Sequence, residues 1–234
     1  MTDQQRELRE LFEVIVAHDV AGVVRRLKSA PSLAHLATEA GATRQDPKSY
    51  FFEAIAHYAY AGDTALHLAA AAHDADIARK LLSAGAAVRA RNRRGAEPLH
   101  YAADGAPGSP QWDPRGQAAV IARLVEAGAD PNIGDDSGVA PLHRAVRTRC
   151  AAAVKALLSA GAEPRLRNKA GSTPLHLAVQ TTGRGGSGTE LARLAQSQII
   201  ELLLESGASA SDENGAGKSV RECAGKNWAE LFDE

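Results

Sequence analysis

The chain has 234 residues, 44% of them hydrophobic and 24% charged, with a formal net charge of −1. That is the balance of a soluble globular protein with enough apolar surface for a core, and the near-zero charge speaks against a general nucleic-acid or anionic-membrane binder. Cys150 and Cys223 lie far apart, which excludes a C-x-x-C metal pair and a disulfide framework. The N-terminus is charged at once and no apolar run approaches the roughly 18 residues of a membrane span, so the expectation is a cytoplasmic protein.

In chain order, residues 11–34 read as two short amphipathic helices broken at His18-Asp19. The stretch 38–62 is too long for a simple turn, and Asp46-Pro47 supplies an N-cap followed by a proline at the first helical position. This predicts an inserted helix from about Pro47 to Tyr60. Phe51, Ile55 and Tyr58 then share one face, while Glu53, His57 and Tyr60 share another and form a first candidate site. His57 stands outside every repeated motif and is the candidate ligand among them.

From residue 62 the chain repeats itself. GDTALHLAA (62–70), GAEPLHYAA (95–103), GVAPLHRAV (138–146) and GSTPLHLAV (171–179) are each followed by a second phrase, LLSAGA, LVEAGA, LLSAGA or LLESGA. The opening glycines are spaced 33, 43 and 33, and a weaker copy begins at Gly217. This pattern resembles the ankyrin repeat: a period of 33, a T-P-L-H-like opening, and two helices followed by a turn. Over about residues 62–228 the chain is similar to soluble ankyrin proteins of bacterial type. The resemblance implies an all-α solenoid of stacked helix pairs joined by short hairpins, with degenerate capping repeats. The expected parts are an N-terminal cap (1–37), the inserted helix (38–61), repeat 1 (62–94), repeat 2 (95–137), repeat 3 (138–170), repeat 4 (171–216) and a C-terminal cap (217–234). Leu66, Leu99, Leu142 and Leu175 should point inward, and Gly85, Gly128, Gly161 and Gly207 should end the second helices, where a left-handed residue is needed.

Two repeats are longer than the period. Eighteen residues separate His67 from Gly85 and His143 from Gly161, against 28 for His100–Gly128 and 31 for His176–Gly207. The extra length therefore falls between the helices of repeats 2 and 4. Asp113-Pro114 predicts a second helix starting near Pro114, and the Ser187–Glu190 capping box predicts another from about Gly188 to Glu205. Repeat 3 keeps a tight turn, and set against the ankyrin pattern it resembles, Arg144 stands where an apolar residue is usual and Arg149 where glycine is favoured. The two long ends should stand about 20 Å apart, given roughly 10 Å per stacked helix. The expected result is a notch floored by Arg147, Thr148, Arg149 and Cys150, with Arg144 one turn from Arg147 on the same helix face, and walled by Trp112 and Asp113 on one side and Thr181, Thr182, Arg184 and Ser187 on the other. Arginine forks suit carboxylate or phosphate, so the notch is the candidate site for a small anionic ligand.

The remaining signals are blander. His67, His100, His143 and His176 recur one per repeat, too far apart to share a metal; the resemblance implies that they brace neighbouring turns. G-x-G-x-x-G at Gly183, Gly185 and Gly188 follows a helix and lacks the strand that a dinucleotide fingerprint requires. GAGKS (215–219) lacks the leading glycine of a P-loop, since position 212 is Asp212. No catalytic constellation, metal site or cofactor site stands out. The expectation is a monomeric, non-enzymatic module that binds a protein partner through its concave face and hairpins. Arg91, Arg93, Arg94, Asp135, Asp136, Arg167 and Lys169 are the candidate hairpin contacts. A small-molecule or anion-binding protein, or an enzyme, using the notch is the rival reading.

Overall fold

The computed structural model describes residues 2–107, 109, 112–180, 189–224, 228 and 232. Helices come in pairs: α1 (Asp3–Val16) with α2 (Val20–Ser29), α3 (Ala65–Ala71) with α4 (Ala75–Ser83), and α5 (Pro98–Ala103) with α6 (Pro114–Glu126). They continue with α7 (Pro141–Arg147) and α8 (Ala151–Ser159), α9 (Pro174–Ala178) and α10 (Glu190–Glu205), and end with α11 (Val220–Cys223). The first helices stack on one another as an inner layer and the second helices as an outer layer. The all-α solenoid is as expected.

The repeated residues explain the stacking. Leu66, Leu99, Leu142 and Leu175 are buried in the inner layer, and Leu81, Leu124, Leu157 and Leu203 in the outer. Ala69, Ala102, Ala145 and Ala178 occupy one equivalent inner position, and all are buried. A methyl group there lets helices approach closely, which accounts for the alanine-rich composition. The outer helices α4, α6, α8 and α10 each end in a Schellman motif. At the end of α8, Ala162 N–H donates to Leu157 C=O (2.9 Å) and Gly161 N–H to Leu158 C=O (3.1 Å), with Gly161 at φ 89°. The tight turns between paired helices use the same motif without glycine: His18, His73 and Arg149 adopt φ 56°, 54° and 60°.

Hairpins are joined by a backbone ladder. The N–H of Arg93 donates to Ala61 C=O, Asp136 to Arg94, Lys169 to Ser137, and Gly215 to Ala170. The four motif histidines cross-brace it. In each, Nδ1 accepts the N–H of the residue before the inner helix (Thr64, Glu97, Ala140, Thr173). Each Nε2–H then donates to a carbonyl of the next hairpin (Ala96, Val139, Ser172, Lys218). Both bonds together require the neutral ring.

Two expectations are corrected. Residues 47–60 do not form a helix: 3₁₀ turns at Lys48–Tyr50 and Glu53–Ile55 flank and link two short strands, β1 (Phe51–Phe52) and β2 (His57–Tyr58). The strands pair antiparallel as Phe51 with Tyr58 and Phe52 with His57, and Ala56 closes the turn at φ 48°. The backbone on either side is committed elsewhere, with Ala42 N–H donating to Ala59 C=O and Ala59 N–H to Tyr50 C=O. Alternation suits this segment because it separates two faces. Phe52 packs edge-on against Phe12 (6.3 Å) and His57 against Tyr101 (4.4 Å), while Phe51 and Tyr58 stay outside. The start of α10 also differs. Thr189 is its N-cap, accepting from Ala192 N–H (3.2 Å), and the helix begins at Glu190. Thr181, Thr182, Arg184, Ser187 and Gly188 lie outside the described residues. By contrast, α6 starts at Pro114 as read, with Asp113 capping it through Arg115 N–H (2.9 Å).

Candidate functional site

The residue after each motif histidine is Leu68, Tyr101, Arg144 and Leu177. These positions lie on the inner helices, and two of the four have exchanged leucine for a long polar side chain. Both exchanges are answered by neighbours. Tyr101 O–H donates to Asp63 (2.8 Å), which also accepts from Asn92 Nδ2 (2.8 Å) and from Tyr60 N–H (2.6 Å). Burial and the Asp63 carboxylate push the Tyr101 phenol well above its ordinary pKa, so it stays a donor.

Arg144 reaches two carboxylates. Its guanidinium donates to Asp104 Oδ2 (2.9 Å) and Asp135 Oδ2 (3.0 Å), and only 10% of its side chain is exposed. Asp135 can accept because it replaces an asparagine. Asn92, Asp135, Asn168 and Asn214 occupy one hairpin position, and each uses its Oδ1 to accept two backbone N–H groups. Only the aspartate has a second oxygen left for Arg144. Burial opposes ionisation of both carboxyls but is outweighed, by His57 and Arg144 at Asp104 and by backbone N–H donors and Arg144 at Asp135. Both carboxyls are held below the usual range.

These groups floor a cleft of about 820 Å³ across the inner layer of repeats 1–3. One wall is the inserted hairpin, with Glu53, Ile55, His57, Tyr58 and Tyr60. The other is formed by Asp104, Gly105, Ala106, Ser109 and Trp112 of the repeat 2 insertion, with the Trp112 indole N–H donating to Gln117 Oε1 (3.2 Å). Gln117 Nε2 in turn donates to the Ala102 and Asp104 carbonyls (3.1 Å each), fixing the insertion where it leaves α5. Arg147 and Arg94 stand at the rim. The hairpin is fastened by His57 on Tyr101 and by Tyr60, which lies beneath the Arg94 guanidinium at 4.9 Å.

The arrangement redraws the expected notch. Arg144, Arg147 and Trp112 do meet in one cleft, but among the described residues its far wall is the 53–60 hairpin. Asp113 is spent as a helix cap, and Arg149 faces away from the cleft to Gln196 Oε1 (3.3 Å). Arg144 is neutralised from within, so it is no free hook for an anion. Glu53, His57 and Tyr60 gather at the cleft through the hairpin, without sharing a helix face.

The hairpin candidates are mostly committed within the chain. Arg91 donates to Gly134 C=O (3.2 Å), Arg93 to Ala42 C=O and Arg167 to Glu213 C=O. Asp135 holds Arg144, and Asp136 lies 3.6 Å from Arg91. Lys169 remains exposed. Tyr101, Asp63 and Asp104 went unnoticed in the sequence. Tyr101 carried a signal, since it breaks the same leucine position as Arg144. No group of histidine, cysteine or acidic residues with metal-binding geometry occurs among the described residues.

Stacked helix pairs, a backbone ladder between hairpins and one bracing histidine per unit define a helical repeat solenoid. Family models agree: one described as Ankyrin repeats (3 copies) matches residues 114–214, and one described as Ankyrin repeat matches 61–93. The chain belongs to the ankyrin repeat family. Among curated proteins it is 40% identical over 89 residues to Tyrosine-protein kinase Shark of Drosophila melanogaster, a match covering 37% of this chain and 8% of that protein. It is 37% identical over 84 residues to E3 ubiquitin-protein ligase KEG of Arabidopsis thaliana, covering 36% of this chain and 5% of that one. The chain thus matches under a tenth of the length of either relative. No helix among the described residues is long and apolar enough to cross a membrane.

Proposed function

We propose that the protein is a monomeric, cytoplasmic and non-enzymatic binding module that takes an extended segment of a protein partner into the cleft over repeats 1–3. One observation carries the reading. The inner-layer positions that break the repeat, Tyr101 and Arg144, are the ones that floor the cleft, and two insertions wall it. Ankyrin repeats serve generally as protein-interaction modules, and a plain stack needs neither insertion. The hairpin arginines, occupied within the chain, contribute less than their number implies.

Affinity capture with matched variants tests this. Tyr58→Ala with Arg147→Glu alters exposed groups at the cleft, while Lys155→Glu changes the outer layer. The expected outcome is a partner retained by the wild type and by Lys155→Glu, and lost by the cleft variant. A partner lost only with Lys155→Glu sinks the reading. The cleft volume also falls within the roughly 300–1,000 Å³ of small-molecule sites. That favours a second reading, capture of a small ligand, which predicts a melting shift with a metabolite panel that is abolished in the same cleft variant.

A further inference from the structure

Asn-Gly occurs once in the chain, at Asn214-Gly215, in the hairpin between α10 and α11. The hairpin calls for both residues. Asn214 fills the position of Asn92, Asp135 and Asn168, and its Oδ1 accepts the N–H groups of Ala216 (2.9 Å) and Lys218 (3.2 Å). Gly215 stands where the other hairpins carry Arg93, Asp136 and Lys169, and here a Cβ would lie only 2.6 Å from the Ala170 oxygen. A side-chain amide is thereby followed by a backbone nitrogen that no side chain shields.

That pairing has a defined chemistry. Gly215 N, once deprotonated, attacks Asn214 Cγ; the N–Cγ bond forms, the Cγ–Nδ2 bond breaks, and Nδ2 takes up a proton and leaves as ammonia. Water then opens the cyclic imide. Attack at Cγ gives aspartate; attack at the main-chain carbonyl gives isoaspartate, whose backbone runs through Cβ and Cγ. The closed hairpin blocks the first step, because Gly215 N–H is bonded to Ala170 C=O (3.0 Å) and the Asn214 amide is held by its two backbone donors.

This hairpin is the last rung of the ladder among the described residues. The carbonyls of Arg94, Ser137 and Ala170 each accept an N–H from the hairpin that follows, whereas Ala216 C=O, at the same position, takes no such bond among the described residues. Its ties are all to the preceding side: Gly215 to Ala170, His176 Nε2–H to Lys218 C=O (3.2 Å), and Arg165 and Arg167 to Asp212 and Glu213 just before the turn. A rung tied on one side opens more readily than an inner one.

We propose that Asn214 is a site of spontaneous deamidation gated by opening of this hairpin, and that the isoaspartyl product keeps the hairpin off the stack. Asp135 shows that the other product is harmless, since an aspartate at this position still accepts both backbone N–H groups. Isoaspartate cannot, because the side-chain acceptor has become main chain. Conversion therefore records the time that the hairpin has spent open.

Peptide mapping of the full chain in mildly alkaline buffer tests this, with electron-transfer fragmentation separating isoaspartate from aspartate. Asn214 should convert about tenfold or more slower in the folded chain than in urea, the ratio reading the open fraction of the hairpin. Val220 is fully buried at the start of α11; Val220→Ala should speed conversion of the folded chain several-fold and leave the rate in urea unchanged. Asn168, followed by Lys169, should stay intact. The isoaspartyl fraction should melt below Asn214→Asp, which should match the wild type. No conversion of the folded chain over many half-times of the urea sample, equal rates in the two, equal conversion at Asn168, or a Val220→Ala chain no faster than the wild type overturns the gated site. An isoaspartyl fraction that melts with Asn214→Asp overturns the lock.

Discussion

Single side chains set how this solenoid responds to pH. The bracing histidines work only as neutral rings, and burial lowers the pKa of His67, His100 and His143, with His100 brought to about 4. The unfolded ring titrates near 6.5, so their contribution is complete above that pH and drains away as the pH falls towards 4. For His100 alone the loss by pH 4 is about 3 kcal/mol. Asp104 and Asp135 have depressed values, so the stability they supply is present above about pH 4 and is lost only as the pH falls below it. Melting temperature should therefore drop steadily between pH 7 and 4.5; a flat profile would contradict the neutral-ring assignment. Arg144 gives a second handle. Arg144→Leu restores the repeat pattern but strands two carboxylates, and should cost ~3–5 kcal/mol in a denaturant titration. Adding Asp104→Asn and Asp135→Asn should return most of it. Glu97 is the mirror case, a buried carboxylate with Oε2 unpartnered where repeats 1 and 4 carry threonine. Glu97→Thr should stabilise by roughly 1 kcal/mol in the same titration.

Elements separate what was legible in the sequence from what was not. The helix pairs could be read because their signals are local: Asp113-Pro114 starts α6, and the glycine closing each of α4, α6, α8 and α10 meets a left-handed requirement within its own turn. The 51–58 hairpin could not. Ala56 at its turn is no turn residue, a two-residue strand is too short to show alternation, and Asp46-Pro47 looks like a helix start. Tertiary partners decided the matter: Phe12 for Phe52, and Tyr101 for His57. The cleft was half legible for the same reason. Arg144 visibly broke its column, but Asp104 lies 40 positions away and Asp135 betrays itself only beside Asn92, Asn168 and Asn214. The hairpin is also thinly buried. Only Ala59 of residues 51–60 is buried, and a cavity of about 360 Å³ lies between it and α1. Thin burial implies local opening at low free energy. Amide exchange across 51–58 should run well ahead of α5, and Tyr60→Ala should accelerate it further without touching α8.

At the scale of the whole molecule, each unit touches only its neighbours, so stability should travel along the stack in steps. Polar ties are concentrated at one end: Tyr101 with Asp63, Arg144 with Asp104 and Asp135, and the hairpin across repeats 1 and 2. Among the described residues beyond repeat 3, the polar ties are the Arg165–Asp212 pair, Arg149 to Gln196 and the ladder, beside leucine and alanine contacts. The C-terminal end should be the less cooperative part. Two tryptophans report on the two ends, Trp112 at the cleft and Trp228 in the core beside the C-terminal helix. Leu175 is fully buried where α9 meets α7, and Leu175→Ala should cost ~2–5 kcal/mol locally. With single-tryptophan forms made by Trp112→Phe or Trp228→Phe, the Trp228 transition should move to lower denaturant while that of Trp112 moves much less. Leu99→Ala, at the tied end, should carry both transitions down together. If Leu175→Ala shifts the two signals equally, the solenoid unfolds as one unit and the polar ties extend their hold along its whole length.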